Sequence, residues 1–199
     1  MNAKNRTDRS NELNCKETLL LKSLILFYRD KKNMDILLCF LKGKQRRLSL
    51  RLLDWLVTNY SKNHAVIIND TTTNVSNVEF MYLAYKNHLK SYSKKFFDAF
   101  ARRQRIFYTF DHHVYKIRTV EMNSYYTRTD GFVTTIAQLN AFRFFISSGV
   151  VDYAIKHLEE VEKDMVSYHS KKYNVEPKTT DTNFQTCVTY HVKMTVQFK

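Results

Sequence analysis

This sequence predicts an α+β fold: five to six helices packed with a small, mostly antiparallel sheet that includes a C-terminal strand. Three observations predict it. Apolar residues recur at helical spacing through most of the chain. Residues 105–119 read as a β-hairpin, and the last dozen residues alternate apolar and polar. An apolar content of 44%, with 14 Phe and 13 Tyr among 199 residues, supplies a core. That content argues against global disorder despite a net charge of +13.

Residues 1–14 are polar and basic and are expected to be a mobile arm, with 15–199 a single globular domain. A helix is expected from Lys16 to Tyr28, with Leu20, Leu24 and Phe27 on one side. Asp30 to Asn33 interrupts it. A short helix through Met34, Leu37, Leu38 and Leu41 then ends at Gly43, because glycine accepts the left-handed conformation that closes helices. Lys44 to Arg47 is a basic connection. Ser49 is placed to cap a helix carrying Leu52, Trp55, Leu56 and Tyr60, with Trp55 read as core. His64 to Ile68 reads as a short buried strand, and Asn69 to Asn77 as a loop.

Tyr82 to Arg105 follows as one long helix or two shorter ones, with a break marked by Ser91 and Ser93. Tyr82, Tyr85, Leu89, Tyr92, Phe96 and Phe100 form its apolar stripe. Arg105 to Phe110 and Val114 to Thr119 make the hairpin, turning at Asp111-His112-His113. Asn123 to Gly131 is a polar loop. Thr135 and Gln138 form a capping box that opens a helix through Leu139, Phe142 and Ile146, closed by Gly149. A second helix follows, with Val151, Ile155, Leu158, Val161, Met165 and Tyr168 inward and i,i+4 pairs Lys156–Glu160 and Glu159–Lys163 outward. Residues 169–185 hold the lone Pro and read as a flexible linker. Val188, Tyr190, Val192, Met194, Val196 and Phe198 then alternate with polar residues as a half-buried strand.

Charge carries the functional reading. Lys and Arg number 32 against 19 acids, which points to nucleic acid or another anionic surface; a merely solvated basic surface is the bland alternative. The excess concentrates in Tyr82–Arg105, where Lys86, Lys90, Lys94, Lys95, Arg102, Arg103 and Arg105 face one acid, Asp98. Lysines at 86, 90 and 94 share one side of a helix and can follow a phosphate backbone. The interleaved aromatics are read mainly as core, with stacking on unpaired bases as the functional alternative. Arg103 falls near the apolar stripe, where Asp98 is a candidate partner. A second cluster, Lys42, Lys44, Arg46, Arg47 and Arg51, surrounds a turn and a helix start, an arrangement suited to anions or simply to water. It is not a P-loop, since G-x-x-x-x-G-K-[ST] is absent.

Chemistry has little support. Cys15, Cys39 and Cys187 lie far apart, which reads as reduced thiols. His112 and His113 are adjacent but point apart on a strand, and no metal-ligand spacing accompanies them. Nucleophile motifs are absent. Glu176-Pro-Lys178 has the Glu-x-Lys spacing of metal-dependent nucleases, but it sits in a Pro-bearing linker. No enzyme, catalytic residue, metal or cofactor is therefore expected. The opening MNAKNRTDRS is too polar for a secretion signal, and no apolar run is long enough to span a bilayer.

Gly43–Lys62, Tyr82–Ile106, Thr134–Met165 and the last dozen residues together resemble an uncharacterised protein family of large nucleocytoplasmic (giant) DNA viruses. Relatives tend to carry Pro and Cys where this chain has Ala99 and Ala101, an acid at Gln104, and a more basic run before the final strand. The resemblance implies a viral protein in the host cytoplasm, at a viral factory, or in the virion, and it supplies no catalytic residues. The reading is thus a non-enzymatic protein binding DNA or RNA with little sequence preference, through Lys44, Arg46, Arg47, Arg51, Lys86, Lys90, Lys94, Lys95, Arg102 and Arg105. The alternative is a virion structural or assembly protein docking onto an acidic viral partner.

Overall fold

A computed structural model describes residues 15–43, 48–70, 77–117 and 122–173. The chain folds as α+β: helices α1 (Cys15–Tyr28), α2 (Lys31–Leu41), α3 (Leu50–Trp55), a π-helical turn (Leu56–Tyr60) and α4 (Ser61–His64) lead into strands β1 (Ile67–Asp70) and β2 (Asn77–Phe80). Next come α5 (Met81–Phe96), β3 (Arg105–Thr109), β4 (Val114–Lys116), α6 (Met122–Tyr126), β5 (Gly131–Thr135), α7 (Ile136–Ser147), α8 (Val150–Lys156) and α9 (Leu158–Tyr173).

The caps follow from the residues. Asp30 does more than interrupt: its carboxylate accepts from Lys32 N at 2.8 Å and starts α2. Ser49 Oγ accepts from Leu52 N at 3.2 Å, and Thr135 Oγ1 accepts from Gln138 N at 3.0 Å, as expected. Gly43 and Gly149 stand at φ +62° and +69° where helices end or turn. The π turn accompanies hydroxyls that bond back one turn: Thr58 Oγ1 donates to Asp54 O and Ser61 Oγ to Val57 O.

The core is built around α7, eight of whose twelve residues are buried, so the helix is enclosed on nearly all sides. It packs on α1, α2, α5, α8 and β5. The buried Tyr28 hydroxyl donates to Leu139 O at 2.7 Å, and burial raises its pKa well above the ordinary value of 10.0. Trp55 is buried as expected, its indole N–H donating to Asp164 Oδ2 of α9 at 2.8 Å, and Leu52, Leu56 and Tyr60 are buried with it.

Several expectations are corrected. The α1 core face is Leu21, Leu24 and Tyr28, with Leu20 and Phe27 only partly buried, where α1 packs on α7 and α2. His64 belongs to α4, and Ala65 turns left-handed at φ +50° before β1 begins at Ile67. β1 pairs antiparallel with β2, Ile67 opposite Phe80. The expected polar loop at 123–131 contains all of α6 but its first residue, and the first residue of β5. The helix expected beyond Gly149 breaks at His157, so its periodicity restarts: Ala154 and Val161 are buried, while Ile155 and Tyr168 are exposed. Glu160 accepts from His157 Nδ1 at 3.0 Å and from the Tyr60 hydroxyl at 3.3 Å, in place of the expected Lys156 pair.

The hairpin is present, and β5 joins it to give the order β4-β3-β5, all antiparallel. Ile106 and Tyr108 point into the main core. Phe107 is equally buried but lies on the opposite face, beneath Tyr125 of α6 and the Arg128 guanidinium. The arm at 1–14, most of the 169–185 linker, Glu176, Cys187 and the terminal strand lie outside the described residues.

Candidate nucleic-acid interface

α5 is amphipathic for the expected reason. Met81 and Ala84 are buried, and Tyr85, Leu89, Tyr92 and Phe96 pack partly buried against the core. Lys86 and Lys90 share its exposed side. Ser93 then departs from helical geometry, at φ +57° and ψ 167°, and kinks the helix. Lys94 therefore does not continue the Lys86–Lys90 row, a correction to the expected three-lysine track. Beyond Phe96 the chain is irregular, so Phe97 takes the buried position and Phe100 is 45% exposed.

The cations differ in how far they are already committed. Lys95 Nζ pairs with Glu17 of α1 at 3.1 Å. Arg105 lies in β3, not on the helix; its Nε donates to Arg102 O at 3.1 Å and its guanidinium sits 5.8 Å from the Tyr126 ring centre. Asp98 accepts from Phe100 N at 2.9 Å and does not pair with Arg103 among the described residues. Lys86, Lys90, Arg102 and Arg103 form no ion pair there either. Lys44, Arg46 and Arg47 lie outside the described residues, whereas Arg51 is exposed on α3.

Tertiary packing brings cations from other elements to α5. Lys62 of α4 and Lys86 of α5 approach the same ring, Tyr82, at 6.0 and 5.5 Å. At the other end, Arg51 of α3 and Lys94 of α5 both act on the half-buried Asp54. Burial raises the Asp54 pKa, with Asp98 adding to the rise and the two cations opposing it. The Leu50–His64 segment and α5 thus bring Lys62 and Lys86 to one ring, while Arg51 and Lys94 each lie near enough to Asp54 to oppose the rise of its pKa. Lys62 was not legible in the sequence, because only packing puts it beside Lys86.

A second concentration was also missed. Arg128 Nε donates to Asp130 Oδ1 at 2.9 Å, and its Nη2 reaches Asp130 Oδ2 as well. The bond raises the Arg128 pKa and lowers that of Asp130. Its guanidinium lies 4.5 Å from the Phe107 ring, 5.8 Å from Tyr125 and 5.9 Å from Tyr115. Among the described residues no three His, Cys, Asp or Glu side chains are grouped to hold a metal ion. None of the described helices is long and apolar enough to cross a membrane.

Residues 2–189 match the profile of a family described as "Family of unknown function (DUF7197)". A curated relative, "Uncharacterized protein L507" of Acanthamoeba polyphaga mimivirus, is 30% identical over 147 residues. The match covers 74% of this chain and 52% of that protein, so the chain spans about half the length of its relative. The giant-virus resemblance drawn from the sequence is borne out. No solved structure matches the chain.

Proposed function

We propose that this chain, which belongs to the DUF7197 family of unknown function, is a non-enzymatic viral protein that binds nucleic acid through the basic α5 surface. The observation that carries the reading is the meeting of cations from separate elements, Lys62 of α4 with Lys86 of α5 at the Tyr82 ring. Lys90, one turn beyond Lys86 on α5, is exposed, as are Lys94 and Arg51. Such a surface neutralises phosphates and releases counterions, and ammonium groups on a helix face read no base edges. Little sequence preference follows.

Four to five phosphate contacts correspond to a log–log salt slope of about −4 on duplex DNA, at about −0.9 per contact. Polarisation titrations of a labelled duplex at two salt concentrations measure it. The double variant K86E/K90E is expected to lower the magnitude of the slope by about 2 and to weaken binding for every sequence alike. Wild-type binding no tighter than that of an unrelated basic protein of equal charge at physiological salt removes the proposal.

A specific observation favours a second reading, a virion structural or assembly protein docking onto an acidic viral partner. Ile67, Phe80 and Leu83 are 56%, 46% and 50% exposed, and the first two are cross-strand neighbours at the start of α5. Association with a viral protein that survives nuclease digestion supports this reading, and loss on digestion supports the first.

A further inference from the structure

We propose that the outer face of the β4-β3-β5 sheet is a base-stacking platform for single-stranded nucleic acid, with Tyr115 and Tyr126 as the stacking rings and Arg102 and Arg105 as phosphate contacts. The inference rests on the nucleic-acid reading above and adds to it a site on different elements with a defined strand preference.

The face is built in register. Arg105 and Phe107, two apart on β3, point the same way, and Tyr115 stands directly opposite Phe107 on β4. α6 lies over this face, its Tyr125 ring 5.3 Å from Phe107 and Tyr126 beneath the Arg105 guanidinium. One row therefore runs from Arg105 and Tyr126 to Phe107, Tyr125 and Tyr115. Phe107 is fully buried within it, while Tyr115 and Tyr126 are 46% and 55% exposed at its margins.

Core packing does not account for those two rings, because neither belongs to the apolar core, which lies on the other face with Ile106 and Tyr108. Half-exposed rings beside cations suit an occupant that carries flat apolar faces and negative charge together. Unpaired bases on a phosphate backbone have that chemistry, whereas a duplex hides its base faces. The charge is complementary as well. Arg102 and Arg105 adjoin through the Arg105 Nε–Arg102 O bond, and neither pairs with an acid among the described residues. Arg128 is not counted among the phosphate contacts, since Asp130 already neutralises it.

The test compares oligo-dT with a duplex of equal length, by fluorescence polarisation on the full chain. Tyr115→Leu and Tyr126→Leu are each expected to weaken oligo-dT binding about 5- to 150-fold. Tyr→Phe at either position retains the affinity, because the π-face remains. Duplex affinity changes less than about twofold in all four variants, since it depends on α5 cations. In parallel, a 2-aminopurine placed in the oligomer is quenched on binding wild type and not on binding the Leu variants. Thermal melting confirms that each variant folds; should one fail to, the wild-type quenching and the Phe variants decide alone. Unchanged oligo-dT affinity in the Leu variants, equal losses for single strand and duplex, or unquenched 2-aminopurine on the wild type each overturn the platform while the α5 proposal stands. Absence of any wild-type binding at low salt overturns both.

Discussion

At the scale of single residues, two positions carry more constraint than their identity suggests. Gly131 opens β5 opposite Thr109. A Cβ there would run into the carbonyl oxygen of Tyr108 and lie 2.9 Å from both Phe107 Cζ and Thr109 Cα. Two of those atoms are backbone, so the strand pairing itself must shift. Gly131→Ala is expected to cost about 1–3 kcal/mol in urea unfolding; a loss below about 0.5 kcal/mol would show the edge strand to be pliant. Asp54 constrains through charge. Burial, then Asp98, holds its pKa above the ordinary 3.8, against the pull of Lys94 and Arg51. A carboxyl raised on folding favours the folded state in its protonated form. That contribution is complete below the unfolded pKa and is lost as pH rises through the folded one. Asp54→Asn should therefore gain stability relative to wild type between about pH 3 and about pH 7, measured by paired denaturation at both ends. The opposite trend would mean that attraction to Arg51 and Lys94 outweighs burial. Neither constraint can be seen in the sequence, where Gly131 is one glycine after a polar stretch and Asp54 one acid on a helix.

At the scale of elements, legibility tracks how local the determining interactions are. Capping at Ser49 and Thr135 and the left-handed exits at Gly43 and Gly149 depend on residues within one turn, and they were readable. β5 was hidden because GFVTT does not alternate cleanly and owes its pairing to a strand over twenty residues earlier. The break between α8 and α9 was hidden because apolar residues on either side of His157 can be threaded onto one helical stripe. Ser93 falls between these cases: serines marked a break, and the structure shows one serine in a conformation natural only to glycine. Strain of that kind costs about 1–3 kcal/mol in an L-residue, and the extra chain entropy of glycine returns about 0.5–1 kcal/mol. The Ser93 side chain is exposed, so no packing is lost on its removal. Ser93→Gly is expected to stabilise the protein by about 1 kcal/mol, seen as a higher urea midpoint at an unchanged m-value. A lower midpoint would show that the hydroxyl holds the kink.

At the scale of the molecule, the basic segment was legible as composition, but its neighbours were not. Lys62 reaches Lys86 of α5 only because the helices before β1 pack against it, and Lys95 is drawn off to Glu17 by α1. What survives folding is an excess of 32 basic over 19 acidic residues, few of the described cations being paired with acids. Like charges crowded onto one fold repel, and the unfolded chain relieves that repulsion by expanding. Salt screens the repulsion, with a Debye length of about 20 Å near 20 mM falling to about 7 Å near 200 mM. Tm is therefore expected to rise across that interval, the reverse of a protein held by surface ion pairs. K86E/K90E should raise Tm at the low-salt end and flatten the dependence, because it removes repulsion at the place where Lys62 and Lys86 converge. A polyanion such as heparin should do the same for wild type at low salt, since a ligand that binds the folded surface shifts the equilibrium toward it. The thermal and binding measurements are thereby tied together. If the lysines around α5 form one repelling surface, the substitution that weakens nucleic-acid binding also stabilises the unbound protein, and a Tm insensitive to both salt and K86E/K90E would show that those charges lie too far apart to act as a single surface.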